Sequence, residues 1–141
     1  MNYYRYNESF EYIGMTETEP SDSLWTNIGY DGYFIKPIWD NYEWSEGATT
    51  QELEDFRKSQ VPYEVQLWRI RTVLKLMQLE VQIESAIEVM PEPSKTAATY
   101  IWKFGTTVER ASQTVMLLQS ALQLTDEQVD DLFIQAEAIL L

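Results

Sequence analysis

The spacing of hydrophobic positions changes along this chain. In the opening "NYYRYNESFEYIG", Tyr4 and Tyr6, then Phe10 and Tyr12, recur at the period of two that lines one face of a half-buried strand. Residues 16–23 surround Pro20 with acidic and hydroxyl side chains only, which reads as a loop. "GYDGYFIKPIWD" is punctuated by Gly29 and Gly32, and the extended run after them contains Pro37. Proline donates no amide hydrogen, so that strand belongs on a sheet edge. With Asp40-Asn41 as a two-residue turn, Trp39 faces Tyr42, Pro37 faces Trp44, and all four side chains share one face of a hairpin.

The period then lengthens. In "SEGATTQELEDFRKSQ", Thr49 or Thr50 caps a short surface helix with acids in its first turns and Arg57 and Lys58 near its end. Leu53 and Phe56 give it only a narrow apolar edge. From Val61 onward, after a Val-Pro step that itself disfavours helix, apolar residues recur at three and four. One stripe runs Leu67, Ile70, Leu74, Met77, Val81, and its continuation meets Glu84 and Glu88. A second takes over: Leu76, Leu79, Ile83, Ile87, Met90. One straight helix cannot present both stripes to one core, so a bend or break is predicted between Met77 and Glu80. "PEPS" ends this segment and offers Ser94 as the cap of a helix over "KTAATYIWKFGTTVER", with Ala98, Ile101 and Trp102 on one side. Ser112 caps "QTVMLLQSALQL", in which Val115, Leu118, Ala121 and Leu122 recur at helical spacing. Thr125 and Gln128 form a capping box ahead of Val129, Leu132, Phe133, Ala136 and Ile139 or Leu140. The expectation is an α+β chain. Its parts are an aromatic β-rich arm over 1–46 with a hairpin near 33–46, a connecting helix over 47–60, and an all-α bundle of four to five short helices over 61–141.

Composition sharpens this division. Residues 1–60 hold 13 of the 19 aromatics and carry 4 Lys/Arg against 12 Asp/Glu; residues 61–141 carry 6 against 11. A net charge of −13 opposes nucleic acid and anionic membrane, because phosphate binding needs clustered cations. No apolar run approaches the length of about 20 residues that spans a bilayer, and the first residues contain no apolar core of a secretory signal. There is neither cysteine nor histidine, which removes the thiolate nucleophile, the disulfide, the usual general base and the imidazole ligand.

Four groups of residues merit a chemical reading. Glu80, Glu84 and Glu88 lie four apart on one helix face; such carboxylates can share a hard cation, but three on one helix do not close a shell, and a solvated face is expected. Asp126, Glu127, Asp130 and Asp131 sit in first turns of a helix, where negative charge is favourable. A glycosidase needs two carboxylates in a cleft; Glu43 and Glu46 lie near the aromatic pair, but there is no sign of a scaffold that forms a cleft. Candidate partner-binding residues are therefore the basic cluster Arg69, Arg71 and Lys75 with neighbouring Trp68, and the aromatic face Trp39, Tyr42 and Trp44. That face either stacks on itself or on a sugar ring. No catalytic, cofactor or metal residue is predicted.

The segment from Val61 to the C-terminus resembles a family of small proteins encoded beside tail-fibre genes in tailed bacteriophages and prophages. The residues that carry the resemblance are Val61-Pro62, Arg71, Val73-Leu74, Ala86-Ile87, Pro91 to Pro93, Trp102, Arg110, Leu122, Leu124-Thr125, Asp130 or Asp131, and Phe133. Gln78 stands where the family commonly has Gly. "KPIWDNYEWSEGATTQELEDF" is similar to the "KPxWDGxxWxEGAT" segment and acidic helix at the ends of many tail-fibre and tail-fibre-assembly proteins, with Asn41 in place of Gly. The resemblance implies a non-enzymatic tail-fibre protein of the virion, or an assembly chaperone present only in the host cytoplasm. Its partner would be a tail or fibre protein, with a homo-oligomer as a further option. A receptor module stacking Trp39, Tyr42 and Trp44 on host glycan is the third expectation.

Overall fold

Strand β1 (Tyr3–Tyr6) pairs antiparallel with β2 (Tyr12–Thr16) on one side and β3 (Trp25–Thr26) on the other. The alternation is real in Tyr4 and Tyr6, but Phe10 lies in the turn with φ 64°. The Asn7 Oδ1 shapes that turn by accepting from the amides of Ser9 and Glu11, both at 2.9 Å. Strands β4 (Pro37–Trp39) and β5 (Trp44–Glu46) form the expected hairpin, in a different register. Trp39 pairs with Trp44 and Pro37 with Glu46, so the loop holds four residues instead of two. The cause is Asp40, whose Oδ1 accepts from the amides of Tyr42 and Glu43, both at 2.8 Å, while Asn41 takes φ 79°. Tyr42 is thereby removed from the aromatic ladder.

The computed structural model describes residues 1–140 and falls into two compact units, Met1–Arg57 and Lys58–Leu141. The division lies inside helix α1 (Thr50–Ser59), so most of the expected connector belongs to the first unit. Thr49 caps α1 reciprocally with Glu52: the Glu52 amide donates to Thr49 Oγ1 at 3.1 Å and the Thr49 amide to Glu52 Oε2 at 3.0 Å. The core of the first unit is aromatic. Tyr6, Trp39 and Trp44 are buried, and Tyr4, Tyr12, Leu24, Tyr30 and Phe34 pack around them. Large rings suit so short a segment, because each removes more surface from water than an aliphatic side chain does.

The second unit contains helices α2 (Leu67–Leu76), α3 (Glu80–Glu88), α4 (Ser94–Phe104), α5 (Gln113–Ala121) and α6 (Asp126–Glu137). It also holds a two-stranded ladder that periodicity did not predict, β6 (Glu64–Gln66) with β7 (Thr107–Glu109). The helix expected to begin near Val61 therefore starts at Leu67, and the helix expected to reach Arg110 stops at Phe104. Gly105 makes that stop: its backbone turns extended so close to α4 that a Cβ would lie 2.5 Å from the Ile101 carbonyl oxygen. The β-branched run Thr106, Thr107, Val108 then favours a strand. Val65, Leu67, Ile70, Val73, Leu74, Ile83, Ile87, Ala98, Trp102, Val129, Leu132, Phe133 and Ala136 form the core. Ser112 and the Thr125–Gln128 capping box act as expected, whereas Ser94 is already helical and caps nothing.

The predicted break between Met77 and Glu80 is present, and it turns on Gln78, which adopts φ 60°. A left-handed conformation costs a residue with a Cβ roughly 1–2 kcal/mol that glycine does not incur. Against glycine's greater freedom in the unfolded chain, Gln78→Gly is expected to raise stability by about 0.5–1 kcal/mol. Urea unfolding of the second unit checks this, and an unchanged or lowered midpoint would contradict it.

Candidate functional site

The hairpin tryptophans are interior. Trp39 and Trp44 are 6% and 7% exposed, with ring centroids 5.4 Å apart. Trp44 also meets Tyr6, Tyr12 and Tyr30 at 5.6–6.4 Å, and its Nε1 donates to the Ile28 carbonyl at 2.8 Å. Tyr42 is 83% exposed at the hairpin tip. The three residues expected to share one flat face therefore do not, and neither indole presents a surface on which a sugar ring could stack. Glu46 is likewise structural. Its carboxylate accepts from the amides of Ile35 at 2.6 Å and of Lys36 and Ala48 at 2.9 Å.

This clamp responds to pH. Desolvation pushes the Glu46 carboxyl up, but backbone hydrogen bonds from Ile35, Ala48, Lys36 and Gly47 outweigh it and hold the pKa below the ordinary 4.5. A depressed folded-state pKa contributes stability above the unfolded value, and that contribution is lost as pH falls through the folded pKa. The melting temperature of the protein is expected to fall as pH drops below about 4.5 and to fall less steeply in Glu46→Gln, whose amide nitrogen cannot accept. Equal slopes in the two proteins would contradict this role.

The basic cluster is also divided by the fold. Arg71 lies 4.4 Å over the Trp102 ring, donates to Glu80 Oε1 at 2.9 Å, and reaches the Trp102 carbonyl at 3.3 Å. Arg69 donates to the Glu137 carbonyl at 3.0 Å, a cation at the C-terminal end of α6. Trp68 is 38% exposed, lies under the Arg69 guanidinium at 5.4 Å and donates to Gln66 Oε1 at 2.7 Å. Lys75 is exposed in the last turn of α2. Arg71 and Arg69 thus each reach a neighbouring helix, while Lys75 is exposed. The glutamate stripe does similar work: Glu80 bonds Arg71, Glu84 accepts from Trp102 Nε1 at 3.3 Å, and Glu88 pairs with Lys95 at 2.9 Å.

What the second unit does present is a groove between α3 and α4. It has a volume of about 400 Å³ and is lined by Val81, Glu84, Ser85, Ile87, Glu88, Thr99, Trp102 and Lys103. Tyr100 and Phe104 follow on α4, four residues apart, 62% and 72% exposed, with ring centroids at 6.0 Å. At the α2–α3 corner Leu76, Met77 and Val81 are 78%, 49% and 71% exposed. These are the exposed large apolar side chains of α3, α4 and the α2–α3 corner. None of it was singled out as a site from sequence, yet a signal existed. Leu76, Met77 and Val81 are the residues stranded where one apolar stripe hands over to the next, and Tyr100 and Phe104 stand opposite the Ala98–Trp102 stripe. No protein family, curated protein or solved structure matches this chain.

Proposed function

We propose that this protein is a non-enzymatic structural protein of a bacteriophage tail-fibre apparatus and docks on a tail or fibre protein through its helical unit. The observation that carries the docking is the α3–α4 groove with its neighbouring apolar residues Val81, Tyr100 and Phe104. The setting rests on the resemblance of "KPIWDNYEWSEGATTQELEDF" and of the segment from Val61 onward to tail-fibre-associated proteins. The proposed location is the virion tail, after passage through the host cytoplasm during assembly. The glycan reading loses its support, because Trp39 and Trp44 are buried against other rings.

Mass spectrometry of purified virions tests this reading. Peptides of this chain are expected at a fixed ratio to those of a tail or fibre protein. Their absence would remove the virion-component reading in favour of an assembly chaperone that leaves before the particle is finished.

A further inference from the structure

The two walls of the α3–α4 groove differ in sign. Every charged residue of α3, "EVQIESAIE", is a glutamate, and both charged residues of α4, "SKTAATYIWKF", are lysines. Val81, Glu84 and Glu88 stand at i, i+3 and i+7, so one face of α3 lines the groove, and Trp102 and Lys103 line it from α4. The two helices run antiparallel: Glu88 meets Lys95 at 2.9 Å where the chain turns, and Glu84 meets Trp102 Nε1 at 3.3 Å further along. Beyond the Glu88–Lys95 pair, Glu84 and Lys103 are both exposed, a carboxylate on one wall and an ammonium on the other. The buried Ile87 and Trp102 supply the apolar part of the lining between them.

Resting on the docking reading above, we propose that this groove receives one amphipathic helix of the partner protein, with cations along one flank of its apolar stripe and carboxylates along the other. The shape asks for a helix, because a trough between two antiparallel helices, each about 15 Å long, takes a third helix laid along it. The charges fix its chemistry. A guest with cations on both flanks sets one row against Lys103, and a guest with carboxylates on both sets one row against Glu84 and Glu88. Only mixed flanks give each wall its opposite charge. They also fix the direction in which the guest runs, because turning a helix end for end exchanges its flanks. A second copy of this chain is opposed by the repulsion between two molecules of net charge −13.

Three stapled helical peptides of about 15 residues are the probes, each with a leucine–alanine stripe. One has a lysine and a glutamate flank (mixed), one has two lysine flanks (basic) and one has two glutamate flanks (acidic). Fluorescence anisotropy with the full chain measures their affinities, and amide chemical shifts of α3 and α4 locate the bound peptide. In about 150 mM salt, where distant charges are screened, the mixed peptide should bind the unmodified chain most tightly. Lys103→Glu should shift the preference about tenfold toward the basic peptide. Lys75→Glu changes the net charge equally outside the groove and should shift it by less than about threefold. Glu84→Lys should shift it about tenfold toward the acidic peptide. Equal shifts for Lys103→Glu and Lys75→Glu, a mixed peptide that does not bind at about 1 mM, or binding that leaves α3 and α4 unperturbed would overturn the proposal. So would a dimer of this chain that Lys103→Glu dissociates, which gives the groove to a second copy. The docking reading fails by a different result, the absence of a complex with a tail or fibre protein, which does not depend on peptide preference.

Discussion

Replacing Trp44 with alanine is expected to unfold the first unit while leaving the second intact. Trp44 is 7% exposed and packs against Trp39, Tyr6, Tyr12 and Tyr30, so four aromatic neighbours would lose a common partner. Tryptophan-to-alanine changes in a core cost about 3–5 kcal/mol, and the Ile28 carbonyl would lose the indole donor as well. Only Tyr6, Trp39 and Trp44 are buried in that core, so the unit has little stability to lose. The near-UV circular dichroism contributed by this ring cluster should collapse, while the helical signal of the second unit persists. Tyr42→Ala, at a position 83% exposed, should change stability by less than about 0.5 kcal/mol. A folded Trp44→Ala protein with native near-UV signal would show that the ring cluster does not hold this unit together.

Arg110→Ala is expected to have the largest effect in the second unit. The Arg110 amide donates to the Tyr63 carbonyl at 2.9 Å, just beyond the β6–β7 ladder, and its side chain reaches α6. There Nε donates to Asp130 Oδ1 at 2.7 Å and Nη2 to the Asp126 carbonyl at 3.3 Å. Both side chains are largely withdrawn from water, at 17% and 11% exposure. Breaking such a pair from one side leaves a buried carboxylate without its cation and costs about 3 kcal/mol. The double variant Arg110→Met, Asp130→Leu should recover most of that loss, since apolar side chains of similar volume need no counter-charge. Arg110→Lys should fall between, because a single ammonium cannot replace both guanidinium contacts. Chemical unfolding of the wild type and the three variants measures these differences, and a loss below about 0.5 kcal/mol in Arg110→Ala would place the pair among exposed salt bridges.

Much of this architecture was legible in the sequence, and the exceptions have physical causes. Helices marked by both a capping pair and a recurrent apolar stripe, such as α6 with Thr125 and Gln128, are found as expected. The break after α2 was legible because two stripes out of phase cannot share a core. Gln78 and Asn41 add to this: both stand where the resembling segments commonly have glycine, and both adopt positive φ, the conformation that glycine takes without strain. The hairpin register was not legible, because Asp40 can serve either as a turn residue or as a side-chain acceptor for two amides. The β6–β7 ladder was missed because three-residue strands are too short to show a period. The contacts of the basic cluster were not legible for a different reason. Spacing along a helix gives the face of a residue, but not the partner on another helix, and Arg71 found Trp102 and Glu80 there. The groove went unnoticed because it is made by two helices that only the fold brings together.

Co-expression of this chain with a candidate tail-fibre protein, followed by native mass measurement, tests the proposed docking directly. A complex of fixed stoichiometry is expected, and Tyr100→Ala or Val81→Glu should weaken it by about tenfold, the loss of one well-packed interface side chain. Absence of a complex, or one that both substitutions leave unchanged, would contradict docking through the α3–α4 surface.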